Sequence, residues 1–175
     1  MVSRVNFVKG DQEQLDYHKW CDRVFTQADA PRLELPPVEP ARSSAPPGAF
    51  STRHWVWVNL WATWCKPCLR EMPMLVVWQE QLGKLEKDLD LWFVSVDQDK
   101  AELDKFLAAN PDTAPGRSVR LTSAEALHPW LAKYGISAEA SVPIHLIAEP
   151  GGAVRCVRTG SLGDGDFAIV KNLVR

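Results

Sequence analysis

The chain has 175 residues, 46% of them hydrophobic and 24% charged, which is one ordinary globular domain with room for a short appendage. A formal net charge of -2 gives no electrostatic reason to bind nucleic acid. The longest apolar run, Trp55 to Trp64, is broken by Asn59 and reaches about half of the roughly 20 residues a membrane helix needs, and Met1 to Gly10 lacks the apolar stretch of a secretory signal. Membrane contact is therefore expected only through an anchor the sequence does not display. Four cysteines are too few for a disulfide scaffold in a chain long enough to build its own core, so any close pair is a candidate for chemistry.

From the N-terminus, Gln12 to Ala28 reads as a short amphipathic helix carrying Leu15, Trp20, Val24 and Phe25. Between Pro31 and Pro47 lie six of the 13 prolines, a composition for an extended linker or wrapping arm. Trp55-Val56-Trp57-Val58-Asn59-Leu60-Trp61 is the kind of run a strand buried on both faces needs. A helix is predicted from about Pro67 to Lys87, kinked at Pro73, with Leu75, Trp78, Leu82 and Leu85 at helical spacing. A second buried strand follows over Leu89 to Val96, then a helix over Lys100 to Ala109 that stops near Asn110-Pro111. Past a loop through Pro115-Gly116, a helix is expected from Ser123 to Tyr134, with Gly135 as its stop. Pro143 to Ile147, the turn Pro150-Gly151-Gly152 and Ala153 to Val157 form a β-hairpin, and Asp164 to Val174 a closing helix. Strands alternating with helices and closed by a hairpin imply an α/β fold whose mixed central sheet is parallel at first and antiparallel at one edge.

The chemistry concentrates in Trp64-Cys65-Lys66-Pro67-Cys68, where a buried strand ends and a helix begins. Two intervening residues let the sulfurs meet across the first helical turn. Free N–H groups and the positive dipole end there favour a thiolate, bringing a thiol pKa from about 8.5 into the range of roughly 3.5–7.5. Cys65 is placed at that end and Cys68 one turn inward. Pro67 suits the first turn because it forfeits no helical hydrogen bond, and Lys66 adds positive charge. Half a zinc site is the bland alternative, but no second CxxC exists and His18, His54, His128 and His145 are scattered singly.

Residues 57 to 68, Trp-Val-Asn-Leu-Trp-Ala-Thr-Trp-Cys-Lys-Pro-Cys, resemble the active-site signature of the thioredoxin superfamily, and within it the TlpA-like thiol-disulfide oxidoreductases that include cytochrome c maturation thioredoxins. Pro73 resembles the family's kinking proline, and Val142-Pro143 its cis-proline element, which would offer the Val142 backbone to an extended client. The resemblance covers roughly residues 50 to 175. It divides the chain into an N-terminal extension with a Pro-rich arm (1–50) and a thioredoxin-like domain (51–175), and it implies catalytic roles for Cys65, Cys68 and Glu71 and client contacts for Trp64, Lys66, Pro67, Val142 and Pro143. Asn59 stands where typical thioredoxins carry a buried aspartate and cannot transfer a proton as that residue does. Glu71 stands where the cytochrome maturation group has a glutamate; its bland reading is a solvated helix charge. Two departures bear on the client groove: the interval from Tyr134 to Pro143 is about three residues longer than usual, and Ile144 replaces a small hydroxyl residue.

Thiol-disulfide exchange on disulfide-containing client proteins, supplied by an upstream thiol donor and without metal or cofactor, is the leading expectation. The resemblance places it in a bacterial periplasm or envelope, with cytoplasm left open. A copper or zinc chaperone using Cys65, Cys68 and a histidine such as His145 is one alternative, and a peroxiredoxin-like peroxidase another. His145 is otherwise expected to be structural, as are Trp55, Trp57, Trp78, Trp92 and Trp130, while Trp61 and Trp64 flank the thiols. Cys21 and Cys156 are taken as unpaired, with a second disulfide as the alternative.

Overall fold

The computed structural model describes residues 16–42 and 48–175. The N-terminal segment enters as a single helical turn, α1 (Tyr17–Trp20), followed by two short strands, β1 (Arg23–Val24) and β2 (Val38–Pro40). Then come β3 (Trp55–Trp61), α2 (Lys66–Lys84), β4 (Leu89–Ser95), α3 (Lys100–Ala109), β5 (Arg117–Leu121), α4 (Leu127–Lys133), β6 (Ile144–Ala148), β7 (Val154–Thr159), a 3-10 turn at Asp164–Asp166 and α5 (Phe167–Leu173). The strands form one sheet in the order β1-β7-β6-β3-β4-β5-β2. Strands β3, β4 and β5 run parallel, β6 and β7 are antiparallel to their neighbours, and β1 and β2 close the two edges.

Alternation along β3 explains the layering. Trp57 and Trp61 face one side of the sheet, where Met72, Leu75 and Trp78 of α2 pack with Leu103 of α3 and Val170 of α5. Val56, Val58 and Leu60 face the other, against Trp92, Leu33 and the Trp130-Leu131 pair of α4. Each fully buried Leu or Phe side chain adds roughly 1.5–3 kcal/mol, so these two layers dominate the stability. All five tryptophans expected in the core are buried.

Several local expectations give way to tertiary pairing. Residues 12–15 of the helix expected over Gln12 to Ala28 lie outside the described region, and among the described residues of that stretch the helix is realised as α1 alone. Beyond Trp20 the chain turns extended, because Arg23 and Val24 pair with Val157 and Cys156 of β7. The proline-rich stretch does wrap: Arg32 bridges to Ala153, and Val38 to Pro40 pair with Leu121 to Val119, with Pro40 tolerated on an edge strand. Residues 43–47 of that stretch lie outside the described region. Arg117 to Leu121, read as loop, is strand β5, held between β4 and β2. Helix α4 starts at Leu127 rather than Ser123, and it ends as expected, with Gly135 at φ 71° beside the Arg23 side chain.

The unpaired assignment of Cys21 and Cys156 is corrected: they form a disulfide with Cα atoms 5.5 Å apart. Register brings this about, since Val24 pairs with Cys156 and the chain immediately before β1 runs back along the same edge.

Candidate active site

Strand β3 ends at Trp61, and the turn that follows is fixed by Asp97. Its carboxylate accepts from the Thr63 N–H at 3.0 Å, the Thr63 hydroxyl at 2.6 Å and the Ser95 hydroxyl at 2.6 Å. Cys65 is then the N-cap of α2 with extended backbone, and Pro67 occupies the first turn. Cys65 and Cys68 form a disulfide with Cα atoms 5.3 Å apart, and the Cys68 N–H donates to Cys65 Sγ at 3.3 Å. That N–H is one of the helix's free donors, and in the dithiol form it favours the Cys65 thiolate.

Across from the disulfide, the Val142–Pro143 peptide bond is cis, and the Val142 carbonyl oxygen lies 3.7 Å from Cys65 Sγ. Val142 is half-buried and Pro143 buried, while Lys66 is exposed, Pro67 half-buried, and Trp64 stands 66% exposed beside the thiols. Trp61, by contrast, is fully buried in the same layer as both cysteines. A cavity of about 420 Å³ opens under Trp64 and Val142, lined by Leu60, Val96, Leu127, Glu139 and Ile144. The longer interval before Pro143 and the isoleucine after it thus both shape this opening.

Behind the disulfide lies a buried polar cluster. Glu71, three residues after Cys68 on the same helix face, is 2% exposed, which removes the reading of a solvated helix charge. Its Oε2 accepts from the Leu162 N–H at 2.8 Å, and its Oε1 stands 3.4 Å from Asn59 Nδ2 and 3.2 Å from His145 Nε2. His145 Nδ1 in turn meets Trp57 Nε1 and Asn59 Nδ2, each at 3.2 Å. Cross-strand register places Asn59 opposite His145. Sequence reasoning left His145 as a structural residue; the available signal was a polar side chain, like Asn59, in a strand otherwise apolar on both faces. The geometry also bears on the metal alternative, because His145 is fully buried and its Nδ1 is engaged by Trp57 and Asn59.

As a unit, the site can exchange a dithiol for a disulfide at a helix N-terminus, beside a backbone carbonyl and above a buried carboxylate. A thioredoxin-like family model matches residues 54–148. The fold is similar to that of the thioredoxin-related protein from Neisseria meningitidis serogroup B, at 23% identity and a TM-score of 0.61, covering 78% of this chain and 97% of that one. A DsbF homologue from Corynebacterium diphtheriae matches at 20% identity and a TM-score of 0.60, covering 86% and 91%. The thioredoxin domain of a thiol-disulfide oxidoreductase from Bacteroides vulgatus matches at 20% identity and a TM-score of 0.55, covering 71% and 81%. No curated protein matches the chain. Since the family match runs from the residue before β3 to the end of β6, over half of the 175 residues, the protein belongs to the thioredoxin-like family.

Proposed function

We propose that the protein is a thiol-disulfide oxidoreductase that reduces disulfides in client proteins, with Cys65 as nucleophile, Cys68 as resolving thiol and Glu71 as the proton acceptor for Cys68. The observation that carries this reading is the Cys65 sulfur at the N-cap of α2, accepting the Cys68 N–H and facing the Val142 carbonyl. The Cys65 thiolate attacks one client sulfur, forming a mixed disulfide and breaking the client S–S bond; the departing client sulfur takes a proton from solvent. Cys68 then gives its proton to Glu71 and attacks Cys65 Sγ. The Cys65–Cys68 bond forms, the second client sulfur leaves as a thiolate, and two electrons have passed to the client. An upstream thiol donor restores the dithiol.

An extended client segment pairs with the backbone at Val142, held by Pro143, with Trp64, Lys66 and Pro67 on the opposite wall. The cavity beneath Trp64 favours clients with an apolar side chain near the reacting cysteine. Within the family, the signature at residues 57 to 68 and the buried Glu71 support a TlpA-like oxidoreductase of the cytochrome c maturation kind, acting in a bacterial periplasm. The Cys21–Cys156 disulfide supports an oxidising compartment. Among the described residues no helix is long and apolar enough to cross a membrane.

Insulin reduction tests the activity, and equilibration in glutathione buffers tests its direction. A reductant has a potential well below that of protein disulfide isomerase, which lies near about -180 mV, whereas a value above it would reverse the direction of electron flow.

A further inference from the structure

Two buried polar atoms in the cluster behind the disulfide have no protein hydrogen-bond partner of good geometry: His145 Nε2 and Asn59 Oδ1. Each belongs to a fully buried side chain, and unsatisfied buried groups of this kind are costly enough to call for a reason. His145 Nε2 is 3.2 Å from Glu71 Oε1, close enough for an ion pair or hydrogen bond but bent away from a linear one.

The ring's protonation follows from its other neighbour. The Trp57 indole N–H can only donate, so His145 Nδ1, 3.2 Å away, must accept. The Asn59 amide presents a second N–H to the same nitrogen at 3.2 Å. Nδ1 therefore carries no proton, the ring proton sits on Nε2, and Nε2–H faces the Glu71 carboxylate. A proton on Nδ1 would forfeit both of those donors in a site without exposed surface.

We propose that His145, held by Trp57 and Asn59 as the Nε2–H tautomer, is a positioning residue that orients Glu71 and keeps it an acceptor for the Cys68 proton during client release. The inference rests on the role given to Glu71 above. Around that carboxylate, β6 supplies His145, β3 supplies Asn59, backed by Trp57, the segment after β7 supplies the Leu162 N–H, and Cys68 lies one turn before Glu71 on α2. The bent Nε2–H contact belongs to the disulfide form, in which Cys68 has no proton to give; catalytic hydrogen bonds are often long in a resting state and tighten as the reaction proceeds. Neither Cys65 nor its attack on the client depends on this contact.

Reduced protein mixed with dithiobisnitrobenzoate separates the two thiols. Cys65 attack releases one coloured thiolate, and Cys68 attack on the resulting mixed disulfide releases the second. At about pH 6, Glu71→Gln should slow the second phase about a hundredfold and His145→Phe about tenfold, both leaving the first phase within about twofold. His145→Gln, whose amide can place an N–H near the position of Nε2, should restore most of the rate. A slow Glu71→Gln with an unchanged His145→Phe would overturn the role of His145 alone, whereas an unchanged Glu71→Gln would remove the proton acceptor itself and the inference with it. Imidazole nitrogen NMR of the unaltered protein gives a test that needs no variant. His145 should show its ring proton on Nε2, and a proton on Nδ1 would overturn the proposal.

Discussion

The molecule holds two disulfides that differ in almost nothing but surroundings. Cys65 and Cys68 are 4% and 0% exposed, Cys21 and Cys156 5% and 0%, so burial does not separate a working pair from a tethering one. Position does. Cys65 caps a 19-residue helix, receives a free N–H, and lies beside an exposed tryptophan and the Val142 backbone carbonyl. Cys21 lies between α1 and β1, where the residues on either side of it, Trp20 and Asp22, are both tied to β7. The Asp22 N–H donates to the Val157 carbonyl at 2.7 Å, the Asp22 carboxylate accepts from the Thr159 N–H at 2.6 Å, and Arg158 reaches the Trp20 carbonyl at 2.6 Å. A thiolate made at Cys65 is stabilised and reachable, whereas one made at Cys21 would require the edge of the sheet to part.

The largest expected effect breaks the symmetry inside the first pair. Cys65→Ser should abolish insulin reduction and leave no covalent adduct, while Cys68→Ser should still attack and stall as a mixed disulfide. Incubation with cell-envelope extract followed by non-reducing and reducing gels reads this directly, and the trapped protein identifies the client. Adducts accumulating on Cys65→Ser instead would reverse the two roles.

The second test sets one pair against the other. The Cys21–Cys156 bond spans a separation of 135 residues, so its loss releases much chain entropy into the unfolded state. Replacing both with serine should cost about 2–5 kcal/mol in a urea titration, with activity kept by the folded fraction. Under native conditions, mild dithiothreitol should expose two thiols to alkylation, and mass mapping should place them at Cys65 and Cys68. Four alkylated thiols at the same reductant concentration would show that the sheet edge offers no protection.

How readily each pair could be read from sequence follows the same division. The CxxC is local: strand end, cap, proline and second cysteine fall within a few residues, so its placement at the start of α2 was legible. The hairpin turn at Gly151-Gly152 and the Asn110 end of α3 were legible for the same reason. The other disulfide was not, because the pairing of Val24 with Cys156 depends on how a distant hairpin is stacked. Strand β5 was missed because Arg117 and Arg120 interrupt a five-residue segment whose strand character comes from its neighbours β4 and β2. Glu71 and His145 sit at the boundary: each residue was visible, but their meeting required the register of β3 on β6 and the seating of α2 on that face.

A smaller effect belongs to the turn that delivers Cys65. Asp97→Ala removes the acceptor for the Thr63 N–H and for two hydroxyls, a loss of about 1–3 kcal/mol for a site that is mostly buried. The loosened turn should slow Cys65 attack in the first phase of the dithiobisnitrobenzoate reaction while leaving resistance of Cys21–Cys156 to reductant unchanged. Equal loss at both disulfides would mean that Asp97 supports the whole sheet and not the active-site turn.

The smallest effect tests how the N-terminal arm is held where no disulfide reaches it. Past β1 the arm depends on α4: Trp130 Nε1 donates to the Glu34 carbonyl at 2.7 Å, the Glu34 N–H donates to the Tyr134 hydroxyl at 3.0 Å, and that hydroxyl donates to the Arg32 carbonyl at 3.3 Å. Burial pushes the Tyr134 phenol above its ordinary range, so the folded protein holds the neutral form while the unfolded chain ionises first. The stability this phenol contributes is present below the ordinary tyrosine pKa of about 10 and is lost as pH rises through the folded value. Tyr134→Phe should therefore cost about 1 kcal/mol at neutral pH and remove part of the alkaline loss seen in the unaltered protein. Amide exchange should quicken at Glu34, whose N–H loses its acceptor, and stay slow at Asp22 beside the disulfide. Equal quickening at both positions would show the arm to open as one unit, with the disulfide and Tyr134 sharing a single hold on it.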